Sequence, residues 1–316
     1  MGIFIKKVRR KLEYMHNCRN AYDFPSQNGG WEKHGIPVFG DDTTGSVFDP
    51  CVIQTEQGFR MFVSGRKNGT ILCTDSVDGL HWGKWRTALE HGSVGSWEEC
   101  VNRATVCKIG EKWLMWYTGQ ARERSAIGIA ESLDGIRFRR LSGAPVLLPE
   151  AICEKGSVMN PCVLWDTDES LFKMWYAAGE LFEPDVLCYA KSSDGVHWEK
   201  YADNPVLEKS DEKYDCCKVG GCDVIKEDGK YCMFYIGYQN VDTARICMAV
   251  SENGITGWIR CAENPILSPE KGAWDADAVY KPSVLTDRDE KKLLLWYNGR
   301  KRECERIGLA EKTLLF

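Results

Sequence analysis

The chain has few of the features that mark membrane, nucleic-acid-binding or metal proteins. No long apolar run is present, so nothing in it reads as a bilayer-spanning helix. Positive charge is not in excess. The 41 Lys and Arg residues stand against 46 Asp and Glu, and the net charge is −5, which argues against the basic footprint of a nucleic-acid binder. Cys216, Cys217 and Cys222 lie close together, but no Cys/His pair stands at a zinc-like spacing, so neither a metal nor a cofactor is expected. A signal-peptide pattern is missing too, because charge breaks the short apolar stretch at the N-terminus. Cysteine itself is plentiful. Fifteen of them, an odd number, predict reduced thiols in a cytoplasmic protein. Cys51, Cys107, Cys162, Cys188 and Cys247 fall where a strand would want a small apolar side chain.

In place of those features there is repetition. Ser76-Val77-Asp78-Gly79-Leu80-His81-Trp82 returns as Ser132-Leu133-Asp134-Gly135-Ile136-Arg137-Phe138, as Ser192-Ser193-Asp194-Gly195-Val196-His197-Trp198 and, weakened, as Ser251-Glu252-Asn253-Gly254. A period of roughly 60 residues marks an array of similar supersecondary units. Three further segments keep their order in each unit. An apolar run follows a polar residue, as in Asp49-Pro50-Cys51-Val52-Ile53 and Asn160-Pro161-Cys162-Val163-Leu164. An aromatic-rich run ends in glycine and one variable residue, as in Met115-Trp116-Tyr117-Thr118-Gly119-Gln120. A small-residue run such as Ile127-Gly128-Ile129-Ala130 then leads into the Ser-x-Asp-Gly turn.

These runs are short and rich in Val, Ile, Trp, Tyr and Phe, so they read as strands. Asp-Gly or Asn-Gly between them reads as a hairpin turn. Four antiparallel strands per unit and five units predict an all-β, five-bladed propeller. The fifth unit lacks its outermost strand, and Trp31-Glu32-Lys33 followed by Pro37-Val38-Phe39 supplies a stray copy of it. Borrowing that copy closes the ring and leaves no open sheet edge at the seam. The expected division is a helix over 1–20 and one propeller domain over 21–316.

In such a blade the first strand is innermost and the second returns beside it. Starts of first strands and ends of second strands therefore meet at one end of the central channel. The starts are Asp49, Arg103, Asn160, Gly221 and Lys281; the ends are Arg66, Gln120, Glu180, Tyr238 and Arg300. Other repeated positions read alike from blade to blade, whereas these change around the ring, with only Arg66 and Arg300 alike. Packing repeats, but a binding pocket is asymmetric, so these positions are the candidate site. Asn102, Glu183 and Asp185 lie nearby in sequence. Carboxylates, amides and flat aromatic faces suit a sugar, and two carboxylates flanking a bond are the apparatus of glycoside hydrolysis. Four cations exceed what a neutral sugar needs and suit a phosphate, a carboxylated sugar or a sugar nucleotide. A plainer reading is that cations and carboxylates around a narrow channel pair with each other. Trp97-Glu98-Glu99, Glu154-Lys155, Tyr214-Asp215 and Trp274-Asp275 precede the inner strands at a recurring offset and read as scaffold, with Glu98 or Asp275 able to reach the rim.

The Phe-Asp49-Pro start, the Met-Trp-Tyr-x-Gly second strand, the Ile-Gly-x-Ala third strand, the Ser-x-Asp-Gly-x-x-Trp hairpin and the Asn-Pro-Val-Leu close resemble the five-bladed glycosidase-like proteins. These include families 43, 32, 68 and 130 of glycoside hydrolases and phosphorylases. The resemblance runs from about Trp31 to Lys312 and implies an acidic site at the cavity floor. It also implies that Asp49 is a general base, as in family 43. The second and third blades depart from that family's pattern, with Asn102-Arg103-Ala104 and Met159-Asn160-Pro161 where it has further acids. Glu180 or Glu183 is therefore the candidate acid on placement alone. Arg66, Asn102, Arg103, Gln120, Asn160, Asp185, Tyr238, Lys281 and Arg300 are candidates for holding substrate.

The expected function is a glycoside hydrolase-like enzyme acting on an oligosaccharide or glycan with an anionic group. The alternatives are a phosphorylase or glycosyltransferase using a sugar phosphate or nucleotide sugar, and a non-catalytic glycan-binding propeller. At the N-terminus, Ile3, Phe4, Ile5, Val8, Leu12 and Met15 intersperse with Lys6, Lys7, Arg9, Arg10 and Lys11. This pattern predicts a basic amphipathic helix. It would either lie on an anionic membrane face through residues 1–17 or pack on the side or bottom of the propeller.

Overall fold

A computed structural model describes residues 2–19, 28–122, 124–180 and 184–314, with side chains in the N-terminal helix described from residue 9 onward. Glu183, one of the two candidate acids, lies outside the described residues. Five four-stranded antiparallel sheets follow one another along the chain. The first blade is β2 (Val47–Thr55), β3 (Gly58–Gly65), β4 (Thr70–Ser76) and β5 (Arg86–Leu89). The second is β6 (Cys100–Ile109), β7 (Lys112–Ala121), β8 (Arg124–Ser132) and β9 (Arg139–Arg140). The third is β10 (Val158–Asp166), β11 (Leu171–Gly179), β12 (Pro184–Ser192) and β13 (Glu199–Lys200). The fourth is β14 (Lys218–Glu227), β15 (Lys230–Asn240), β16 (Thr243–Ser251) and β17 (Ile259–Arg260). The fifth is β18 (Ala278–Asp287), β19 (Lys292–Lys301) and β20 (Cys304–Thr313), completed by β1 (Glu32–Lys33) from the other end of the chain.

Closure reuses the internal pattern. Phe39 bridges Ile307 just as Leu147, Leu207 and Leu267 bridge Ile127, Leu187 and Ile246 in complete blades. The ring thus has no frayed seam.

Blades adhere through aromatic side chains whose polar ends are satisfied. Trp116, Trp175 and Trp296 are fully buried, and their indole N–H groups donate to the carbonyls of Gly195, Gly254 and Gly79 at 2.8, 2.7 and 2.9 Å. Each carbonyl belongs to the Ser-x-Asp-Gly turn of the next blade, or to its Ser-x-Asn-Gly form at Gly254. The turn is itself knitted together: the Ser192 hydroxyl accepts the Gly195 amide at 2.9 Å, and Asp194 Oδ1 accepts those of Val196 and His197 at 2.8 Å each. Gly195 must be glycine, because its φ is +76° and a Cβ would lie 2.8 Å from the Trp116 ring. That explains why the motif repeats: one tryptophan and one glycine make a staple between blades.

A second device recurs within blades. Glu98 accepts from Tyr117 Oη and Arg140 Nε at 2.6 Å each. Glu154 accepts from Tyr176 Oη at 2.8 Å and Lys200 Nζ at 2.9 Å. Asp215 accepts from Tyr235 Oη at 2.9 Å and Arg260 Nε at 2.8 Å. Asp275 accepts from Tyr297 Oη at 3.1 Å and Lys33 Nζ at 2.6 Å. Each clasp ties the entry loop to the second and outermost strands, and in the fifth blade the cation comes from the borrowed strand. All four carboxylates are buried, so Glu98 and Asp275 serve the scaffold and do not reach the rim.

The N-terminal helix α1 (Gly2–Arg19) docks on the rim at the cavity end of the ring, and not on its side or bottom. Arg10 grips the Asp242 carboxylate with two bonds of 2.8 and 2.5 Å, Asn17 Nδ2 donates to it at 2.8 Å, and the Tyr14 hydroxyl donates to Asp277. Rim carboxylates explain the seating of a basic helix there. None of the described helices is long and apolar enough to cross a membrane.

Candidate active site

Each inner strand breaks its register near its start. The shifts fall at Phe48/Cys51, Asn102/Thr105, Met159/Cys162, Gly220/Cys222 and Tyr280/Pro282. These are β-bulges, which bend a strand and re-aim one side chain. The bulged residues are the variable first-strand positions. Asp49, Arg103, Asn160 and Lys281 sit at φ of +54°, +54°, +50° and +43°, a left-handed conformation that non-glycine residues adopt at a cost. Neighbouring blades hold the strained backbone in place. The Asp49 amide donates to Asn298 Oδ1 at 3.0 Å, the Arg103 amide to Ser64 Oγ at 2.8 Å and the Asn160 amide to Thr118 Oγ1 at 3.0 Å.

Around this ring opens a cavity of about 670 Å³. Asp49, Arg66, Asn102, Arg103, Gln120, Asn160, Tyr238 and Arg300 all line it. Asp49 is buried and accepts from Arg103 Nε at 3.0 Å. Arg103 Nη1 donates to Asn102 Oδ1 at 3.3 Å, and Asn102 Nδ2 donates to Gln120 Oε1 at 2.9 Å. One hydrogen-bonded line therefore runs from the first blade to the second. Burial pushes the Asp49 carboxyl above its ordinary range, against the pull of Arg103 and Lys281 and with a smaller push from Glu305.

Other candidates lie elsewhere. Lys281 is buried beneath the cavity, donating to the carbonyls of Cys222 and Pro282 at 3.0 and 3.3 Å. Burial opposes its charge, but Asp223 leads a set of neighbours that raise its pKa regardless. Glu180 is 61% exposed on the rim and pairs with Lys218 at 2.9 Å. Asp185 pairs with Lys155 at 2.5 Å and Lys218 at 3.2 Å. Neither Glu180 nor Asp185 lines the cavity.

Sequence reasoning missed Glu305, Tyr280, Phe48 and Asp242, which do line it. Glu305 is 4% exposed. Its Oε2 accepts from Arg66 Nε and Nη2 at 2.8 and 2.5 Å, and its Oε1 accepts the Tyr280 hydroxyl. Burial, with Glu305 as a neighbour, drives the Tyr280 phenol well above its usual pKa, so Tyr280 stays a neutral donor. Arg66 also stacks on Phe48, 4.5 Å from the ring centre. A signal for Glu305 existed. Two residues before the conserved apolar position of the third strand the blades read Gly69, Ser125, Asp185, Ala244 and Glu305, a third set that differs in every blade.

No protein-family model matches the chain. Two uncharacterized proteins from two strains of Mycobacterium tuberculosis are 29% identical over 273 residues, covering 80% of this chain and 87% of theirs. Among solved structures, a putative glycoside hydrolase from Parabacteroides distasonis superimposes with a TM-score of 0.72 at 15% identity, covering 94% of this chain and 99% of that one. A thermostable family-43 glycoside hydrolase gives 0.68 at 19% identity, over 86% of this chain and 91% of that one. The chain has the fold of the five-bladed glycosidase-like propellers. A further match comes from work on family 130, described as mannoside phosphorylases that include hydrolases of β-1,2-mannosidic linkages. It has a TM-score of 0.71 at 15% identity, over 92% of this chain and 95% of that one. At these identities the likeness speaks for the glycosidase-like fold and leaves the chemistry to the cavity itself.

Proposed function

We propose that this propeller is a carbohydrate-active enzyme that hydrolyses a glycosidic bond, with Asp49 and Glu305 as its carboxylate pair. The observation that carries this is two buried carboxylates from different blades in one cavity, flanked by amides and aromatic faces. Asp49 suits the general base that activates water. A raised pKa makes it the stronger base, and Arg103 fixes its orientation. Glu305 suits the acid once Arg66, whose side chain is 57% exposed, swings from it to substrate; Tyr280 then steadies the carboxyl. Hydrolysis is preferred to phosphorolysis because Arg103, the cation beside the proposed base, is already matched by Asp49 and needs no phosphate to balance it.

The test is turnover of a panel of oligosaccharides and aryl glycosides, with and without inorganic phosphate. Asp49→Asn should lower kcat by about 10²–10⁴-fold, with partial recovery in azide. Glu305→Gln should spare dinitrophenyl glycosides and fail on poor leaving groups. Full activity in Asp49→Asn, or strict dependence on phosphate, would overturn this reading.

A further inference from the structure

The hairpin joining β19 and β20 has a concavity on each side. Its cross-strand pair Arg300 and Glu305 faces the axial cavity. The next pair outward, Lys301 and Cys304, lines a separate groove with the turn residues Arg302 and Glu303 and with α1. This groove, about 1300 Å³, is larger than the axial cavity. Arg10 and Lys11 of α1 line it together with Lys301, Arg302 and Arg306, the carboxylates in its lining are Asp42 and Glu303, and Arg10 is already taken by Asp242. The other four cations against two carboxylates, in a chain of net charge −5, are a local inversion of sign. The opposition is weaker still in energy. Asp42 is fully exposed at 3.3 Å from Arg306, so solvent screens that pair.

Groove and cavity are mechanically joined. Asp242 lines the cavity and is held by Arg10 of α1 and Arg300 of the hairpin, and the Arg300 guanidinium lies 6.0 Å from the Tyr14 ring. Two guanidinium and two ammonium groups beyond Arg10 suit the charge of a phosphate ester better than that of a lone carboxylate.

We propose that the groove between α1 and the β19–β20 hairpin binds the phosphoryl group of a sugar phosphate or phosphate-bearing glycan. The groove lies on the other face of the hairpin from the axial cavity, because successive strand residues point to opposite faces. The proposal does not rest on the hydrolase reading.

Calorimetric titration of the full chain with glucose, glucose 1-phosphate and UDP-glucose tests it, with a monosaccharide and a nucleotide source of phosphate as separate arms. At least one phosphate ester should bind about ten-fold or more tightly than glucose, with an affinity that falls as salt rises. The double variant Lys301→Glu/Arg302→Glu should erase that preference while melting normally, and Lys11→Glu on the opposite wall should reduce it. Asp49→Asn should leave it intact. Equal binding of sugar and ester, a preference that survives the double variant, or association only with vesicles of phosphatidylcholine containing phosphatidylglycerol would each overturn the proposal. Phosphate-selective binding without turnover of any glycoside would sink the hydrolase reading and leave the groove standing.

Discussion

Every blade past the first carries a carboxylate clasp, and every blade contributes a bulge to the axial ring, yet the two sets of polar residues behave in opposite ways. The clasps repeat one recipe, carboxylate with tyrosine and cation, four times over. The ring never uses the same residue twice, and it holds four of its five members in a strained backbone. The electrostatics diverge as well. Glu154 in its clasp is pulled below the usual carboxylate range, because backbone amides of Glu150 and Ala151, the Lys200 ammonium and the Tyr176 hydroxyl outweigh its burial. Asp49 in the ring is pushed up, because burial outweighs its cations. Glu154 is arranged to satisfy its charge; Asp49 keeps one where it is uncomfortable. Under the proposed function, that is the contrast between a residue that holds the fold and one positioned to react.

The largest expected effect tests the packing side. Trp175→Ala deletes a buried indole and the staple to Gly254, and should cost about 3–5 kcal/mol in a denaturant titration. Asn160→Gly, at the bulge, should change stability by less than about 1 kcal/mol, since glycine relieves the left-handed backbone. Equal losses would erase the distinction between staple and ring.

Next comes the clasp itself. Glu154→Gln leaves the half-buried Lys200 with only the exposed Glu150 carboxylate, 3.4 Å away, and should destabilise by about 1–3 kcal/mol at neutral pH. Because the native pKa of Glu154 is lowered, its contribution is complete above the ordinary glutamate value of 4.5 and drains away as pH falls through the native value. The gap between wild type and variant should close under acid. A gap independent of pH would mean that the clasp works through shape alone.

The fold was legible because its devices are local and repeated. A tryptophan, a Ser-x-Asp-Gly turn and a stray strand at the N-terminus each have one physical reading, and β1 pairing with β20 follows from the last. The site was half legible. Bulge residues stood out by their variability, but Lys281 and Asp49 look equivalent in sequence, and only the surrounding packing sends one side chain below the cavity and the other to its wall. Glu180 takes the second-strand position that Arg300 takes in its blade, and Asp185 the third-strand position of Glu305, but lysines from neighbouring segments, Lys155 and Lys218, hold them at the rim. Glu305 was hidden because variability at the start of the third strand was not weighed. Glycine at 221 is also explained only by a neighbour, since a Cβ there would lie 2.1 Å from Asn160 Nδ2. Gly221→Ala should therefore displace the Asn160 amide, costing about 1–3 kcal/mol and weakening glycan binding in calorimetry. Unchanged binding would show that this amide does not contact the ligand.

The smallest effect is the most discriminating, because it has the opposite sign to the clasp. A carboxyl with a raised native pKa binds its proton more tightly folded than unfolded. As pH rises from the ordinary aspartate value of 3.8 through the native value, unfolding gains in favour, and above the native value the full cost of the buried charge is in place. Asp49→Asn removes that cost. The variant should melt no lower than wild type at neutral pH, by a margin of up to about 1 kcal/mol, and the margin should vanish as pH falls toward 3.8. The competing term is the pair of cations left without Asp49, Arg103 on the cavity wall and Lys281 below it. Arg103 keeps Asn102 as an acceptor and Lys281 keeps two carbonyls and Asp223, so neither is stranded by the change. If Asp49→Asn instead loses stability at neutral pH and regains it in acid, attraction to those cations dominates, and Asp49 would be one more clasp in a ring that only looks reactive.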